Sequence, residues 1–109
     1  MQRNVLSQTG IDELVRQIVD SFNPKKIMLF GSYARGDFHS GSDLDLCIIA
    51  DSELDWFERN LAFKRKIHSE IPHIEAHIYT QAEWDKMLQE ERPLALQILK
   101  EGKILYEQE

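Results

Sequence analysis

The sequence predicts an α/β (α+β) domain, a small sheet with helices packed on it. Three observations lead there. Ile11, Leu14, Val15, Ile18 and Val19 recur at the spacing of one helical face. Two short apolar runs, "KKIMLF" and "LDLCIIA", end or begin abruptly at glycine and aspartate, as buried strands do. Between 73 and 80, "HIEAHIYT" alternates, with Ile74, Ala76 and Ile78 on one face and Glu75, His77 and Tyr79 on the other.

The elements follow in order. "TGIDELVRQIVDSFN" is a helix capped by Thr9, with Asp12 three residues on, and ended by Pro24. "KKIMLF" is a strand that stops at Gly31, and a short helix separates it from the strand "LDLCIIA". "SELDWFERNLAFKRKIHSEI" is predicted as one long helix over 52–71, capped by Ser52, burying Leu54, Phe57, Leu61 and Ile67, and stopped by Pro72. The alternating segment is a third strand. Thr80 and Glu83 form a capping box that opens the next helix. Pro93 begins a last helix, Gly102 closes it, and "KILYE" is a short extended tail.

Composition narrows the classes of function. The 109 residues suit one domain over 1–109 with a modest core. A net charge of −6 argues against a broad nucleic-acid footprint, though not against a small nucleotide. The single cysteine, Cys47, excludes an internal disulfide framework and fits a reducing cytoplasm. No apolar run is long enough to span a bilayer, and "MQRNVLSQTG" lacks the apolar core of a signal peptide, so neither membrane nor export is expected.

The chemistry concentrates in "GSYARGDFHSGSDLDL", Gly31 to Leu46. Alternation puts Asp43 and Asp45 on one face, about 6.8 Å apart at roughly 3.4 Å per residue. An isolated D-x-D can be bland: Asp43 can cap a turn after "SGS", and Asp45 can pair with a nearby cation. The apolar "LCII" that follows makes two neighbouring carboxylates costly, and a divalent cation removes that cost. Magnesium suits such oxygen ligands, completed by water and phosphates. Upstream, "FGS" lets backbone approach a ligand closely at Gly31 and adds the Ser32 hydroxyl, and it also reads as a tight turn with Ser32 as helix cap. The Gly31-to-Gly36 spacing matches a Walker A loop, but Asp37 and Phe38 stand where that loop needs Lys and Ser or Thr. An EF-hand needs oxygen ligands after the D-x-D, where "LCII" supplies none.

"LFGSYARGDFHSGSDLDLCII" closely resembles the signature of the DNA polymerase β-like nucleotidyltransferase superfamily. The ten residues between Ser32 and Asp43 match the G-S-x10-D-x-D spacing of its minimal nucleotidyltransferase (MNT) group. The closing "LALQILKEGKILYE" resembles the helix and tail of many MNT proteins. The resemblance implies a mixed sheet with flanking helices and a magnesium-dependent nucleotidyl transfer with two metal ions. It places Gly31 and Ser32 on the triphosphate of ATP; Arg35, by its charge, is a second-tier candidate for phosphate contact. It places Asp43 and Asp45 on the metals as catalytic residues, and Glu75, where aspartate is more common, as the third carboxylate. It also implies an antitoxin that transfers AMP to a tyrosine of a partner HEPN-domain ribonuclease toxin within a hetero-oligomer. The alternatives are a module that neutralises its partner by masking, and nucleotidylation of a small molecule with a partner subunit.

Other polar residues carry plainer readings. Arg35 is equally suited to an ion pair with Asp37. Lys64, Arg65 and Lys66 read as a solvated helix face. His39, His68, His73 and His77 have no zinc-ligand spacing, although His77 shares the face of Glu75. Cys47 reads as a small buried residue. Trp56 and Trp84 are open between core and partner surface.

Overall fold

A computed structural model describes residues 7–39 and 41–109. The residues 1–6 read for targeting, and Ser40 of the "SGS" turn, lie outside the described residues. The elements are α1 (Gln8–Phe22), β1 (Lys26–Phe30), α2 (Ser32–Arg35), β2 (Leu44–Ile49), α3 (Trp56–Lys66), β3 (Ile74–Tyr79), α4 (Gln81–Gln89), α5 (Pro93–Glu101) and β4 (Lys103–Glu107). The strands form one mixed sheet in the order β3-β2-β1-β4. β1 pairs antiparallel with β2 and β4, while β2 and β3 run parallel. The fold is thus the expected mixed sheet with flanking helices. No helix among the described residues is long and apolar enough to cross a membrane.

β2 is central and covered on both faces, which explains its near-continuous apolar run. Leu46 and Ile48 join Ile27, Leu29 and Ile78 under Leu14 and Ile18 of α1 and Phe63 of α3. Cys47 and Ile49 join Met28 and Phe30 on the other face, under Trp84 of α4 and Ala95 and Ile98 of α5. Each fully buried Leu or Ile side chain contributes about 1.5–3 kcal/mol. Asp45 is the one β2 residue that is not buried.

Four local expectations change. The α1 cap is Ser7, whose Oγ accepts the Gly10 N–H at 3.1 Å, so the helix starts before Thr9. It ends on Asn23 in the left-handed conformation, one residue ahead of Pro24. The long helix is shorter than 52–71: Asp55, not Ser52, caps it through a capping box with Glu58, and it stops at Lys66, well before Pro72. "KILYE" is extended as expected, but it is a paired edge strand, β4, along β1 rather than a tail.

The fourth change concerns what α3 buries. Ile67 is buried as expected, but Leu54, Phe57 and Leu61 are exposed. The residues turned inward are Ala62, Phe63 and Arg59, the last only 5% exposed. Its guanidinium donates to both Glu83 oxygens at 2.7 and 3.1 Å, to the Leu54 carbonyl at 2.9 Å and to the Ile78 carbonyl at 3.1 Å. A buried charge held this completely fixes the rotation of the helix together with the buried Ala62 and Phe63. At 3.6 residues per turn, positions two before and two after Arg59 face away from it. Those positions are Phe57 and Leu61. Of the two tryptophans, Trp84 is core and Trp56 is 52% exposed.

Candidate active site

The site begins where β1 ends. Gly31 turns the chain into α2 with φ of 79°. A Cβ there would be driven into Asp45 Oδ2, so only glycine fits. Asp45 lies opposite Phe30 in the antiparallel β1–β2 register and opposite Glu75 in the parallel β2–β3 register. Strand pairing alone therefore lines up the Gly31 turn, Asp45 and Glu75 across three strands. His77 follows two residues along β3, on the same face as Glu75.

Ligand-capable atoms of Asp45, Glu75 and His77 all lie within 4.8 Å of one another. His77 Nε2 stands 3.6 Å from Glu75 Oε1, and its ring lies tilted beside Phe30 at 5.4 Å between centroids. The charges are mutually unfavourable. Burial, then the Glu75 and Asp43 carboxylates, push the Asp45 carboxyl up to about 6, with Arg35 only partly opposing. Burial also lowers the pKa of His77, against the pull of Glu75, and so favours the neutral imidazole.

This donor set fits a hard divalent cation. Burial and then Glu75 disfavour the charged form of Asp45, and a divalent cation between the two carboxylates would remove that penalty. Asp45 and Glu75 offer the oxygens that magnesium favours, and the His77 nitrogen is a poorer ligand for it.

The other residues singled out in the sequence fall around this centre. Asp43 is exposed and lies one residue before β2 rather than within it; Asp45 feels its charge, but it is not one of the three clustered side chains. Ser32 opens α2, and its carbonyl accepts the Gly36 and Asp37 N–H groups. Arg35 makes the ion pair with Asp37 at 3.1 Å that its spacing suggested. Lys64, Arg65 and Lys66 are all exposed, and Cys47 is buried, which pushes its thiol up to about 12.

Sequence reasoning missed Glu101. From the last turn of α5, its Oε2 accepts the Gly31 N–H at 3.1 Å and Arg35 Nη1 at 2.7 Å. A carboxylate thus lies against the backbone donor that the resemblance assigns to phosphate. No local pattern marks it, because its partners are 66 and 70 residues away.

The nucleotidyltransferase domain family matches residues 11–106. The chain belongs to that family.

Relatives of this nucleotidyltransferase agree with the placement. Over 51 residues it is 41% identical to the "putative protein adenylyltransferase" of Methanocaldococcus jannaschii, a stretch that covers 45% of this chain and about half, 51%, of that protein. Its fold resembles a "putative nucleotidyltransferase" from Sulfolobus solfataricus, with a TM-score of 0.57 at 19% identity over 94% of this chain and 90% of that one. It also resembles a toxin–antitoxin crystallised with AMP-PNP, with a TM-score of 0.55 at 22% identity over 91% and 74%. A mutant of the MntA-HpeT toxin–antitoxin gives a TM-score of 0.53 at 22% identity over 95% and 75%. At these identities the structural likeness is one of fold.

Proposed function

We propose that this nucleotidyltransferase moves AMP from ATP onto a protein hydroxyl, a tyrosine of a HEPN-domain ribonuclease toxin, and so acts as the antitoxin of a cytoplasmic pair. The observation that carries the reading is the alignment of the Gly31 turn, Asp45 and Glu75 across β1, β2 and β3. The relative named for protein adenylylation and the toxin–antitoxin neighbours support the choice of acceptor.

In this reading Gly31 and Ser32 hold the triphosphate, with Arg35 beside them. Asp43, Asp45 and Glu75 hold magnesium, two ions on the family pattern. When bound, magnesium neutralises the carboxylates and the charge that builds on the phosphate oxygens. The acceptor oxygen bonds to the α-phosphorus as the bond to the bridging oxygen breaks, and pyrophosphate leaves with that electron pair. Glu75 takes the hydroxyl proton on a carboxylate oxygen. Most of the acceleration comes from positioning and electrostatics. Each added AMP brings a negative charge and bulk that oppose RNA at the partner's active site.

The test is incubation with α-labelled ATP, magnesium and the HEPN partner. Acid-stable label on the partner, with pyrophosphate released in step, supports the reading. Pyrophosphate release with the label on a small molecule contradicts the protein acceptor.

A further inference from the structure

Glu101 is an acid at the point of α5 that least favours one. It is the last residue of the helix, where the helix dipole opposes a negative charge. Its side chain is only 14% exposed. Burial works against the charge, but the donors of Gln97, Arg35 and Gly31 outweigh it and hold the carboxyl below its ordinary range. The carboxylate is thus an anion kept in place by its donors, not by the helix that carries it.

Two of those donors converge on one atom. Glu101 Oε2 accepts both the Gly31 N–H at 3.1 Å and Arg35 Nη1 at 2.7 Å. A backbone N–H and a guanidinium N–H aimed at a single oxygen form an oxyanion position, and a phosphate oxygen satisfies them in the same way. A carboxylate and a phosphate pressed onto the same two donors repel each other. Glu101 and a phosphate oxygen therefore exclude one another at this point.

The surroundings show what has to move. The Gly102 N–H closes α5 on the Ile98 carbonyl at 2.7 Å, and a Cβ at Gly102 would run into that carbonyl, so the backbone beside Glu101 is tightly held. Exchange requires only the Glu101 side chain to turn outward. Arg35 stays beside the turn, because its Nε also donates to Asp37 at 3.1 Å. Asp37 shares the guanidinium with Glu101, whereas the Gly31 N–H is held by Glu101.

We infer that Glu101 is a built-in competitor of the nucleotide: its carboxylate holds the oxyanion position of Gly31 and Arg35 until a phosphate of ATP displaces it, and it thereby lowers the affinity for ATP. This rests on the reading of Gly31 and Arg35 as phosphate donors. The measured affinity is then the intrinsic one reduced by the fraction of molecules whose carboxylate has withdrawn.

The test is titration calorimetry of ATP and of inorganic tripolyphosphate, each with magnesium, on the wild type, Glu101→Gln and Asp37→Asn. Glu101→Gln removes the charge and keeps the shape. Asp37→Asn removes the same charge from the same guanidinium but leaves the bond from Gly31 to Glu101. Melting temperatures are recorded on the same samples. We expect Glu101→Gln to melt no higher than wild type and yet to bind both ligands roughly fivefold or more tightly. Asp37→Asn, at an exposed pair, should stay within about twofold of wild type. In carbon-13-labelled wild type, the Glu101 carboxyl signal should move toward that of a solvent-exposed glutamate as tripolyphosphate binds, which needs no variant to fold. Unchanged or weaker binding by Glu101→Gln would make Glu101 a structural brace and overturn the inference. So would equal tightening by Asp37→Asn, or a Glu101 carboxyl signal that stays in place while ligand binds. Those three results leave nucleotide binding standing. No binding of either ligand by the wild type and both variants would overturn the nucleotide reading together with the inference.

Discussion

Gly31 and Asp45 are packed so closely that a methyl group on the glycine would overlap the Asp45 Oδ2 oxygen. The turn that would receive phosphate and the carboxylate that would hold metal are thus one steric unit. Gly31→Ala must displace Asp45 as well as strain a backbone at φ 79°. Gly36, at φ 90°, has open space around its Cβ position and would suffer the strain alone, about 1–2 kcal/mol. Thermal unfolding should show Gly31→Ala as the more destabilised of the two. In nucleotide binding only Gly31→Ala should lose its response.

Asp45→Asn should raise the stability of the metal-free protein while abolishing transfer. The Asp45 carboxyl sits at about 6, above its ordinary 3.8, so the fold favours its protonated form. Stability is unaffected by this group below about pH 4 and falls as pH rises through about 6. In EDTA at pH 7.5 or so, the variant should melt higher, on the order of a few degrees. The gap should close as the pH is lowered toward 4. A variant that melts lower than wild type across that range would show that ionised Asp45 is stabilised in ways this geometry does not contain.

Glu75 and His77 share a face, and their roles separate by substitution. Glu75→Gln keeps the shape and removes the charge, so transfer should fall by orders of magnitude with ATP binding less affected. Glu75→Asp, a shorter acid of the family's usual identity, should retain part of the activity. His77→Ala should cost little at saturating magnesium, because an imidazole is a poor ligand for that ion. The reverse pattern would place a histidine, not the third carboxylate, at the reacting oxygen.

The Glu101 contacts tie α5 to the β1–α2 turn. Glu101 is 14% exposed at its side chain, and its loss would leave the Gly31 N–H and one Arg35 donor without their acceptor. Glu101→Ala should destabilise the fold by about 1–2 kcal/mol in urea unfolding. Glu101→Gln, which keeps one acceptor oxygen, should cost less.

Much of this site was legible in sequence because its information is local. The Gly31–Ser32 turn and Asp45 lie within 15 residues, and strict alternation put Glu75 and His77 on one face of β3. Asp43 was harder: alternation assumes a strand already formed, and β2 begins one residue later. The outward face of α3 was not legible, since it depends on Arg59 finding Glu83, 24 residues on and in another helix. Periodicity reports that a helix has an apolar stripe but not which neighbour it meets. The extension of β4 was legible but its pairing with β1 was not, because an edge strand with Ile104 exposed shows little alternation in burial. Glu101 was missed because only the folded sheet brings the end of α5 to the end of β1.

The most direct measurement is the intact mass of the proposed acceptor, a HEPN-domain toxin, after incubation with this protein, ATP and magnesium. The account predicts AMP-sized increments that map to a tyrosine, require both ATP and magnesium, and vanish with Asp45→Asn. An unmodified partner that is nonetheless bound tightly and neutralised, by the wild type and by an Asp43→Asn/Asp45→Asn double variant alike, would contradict it and establish masking instead.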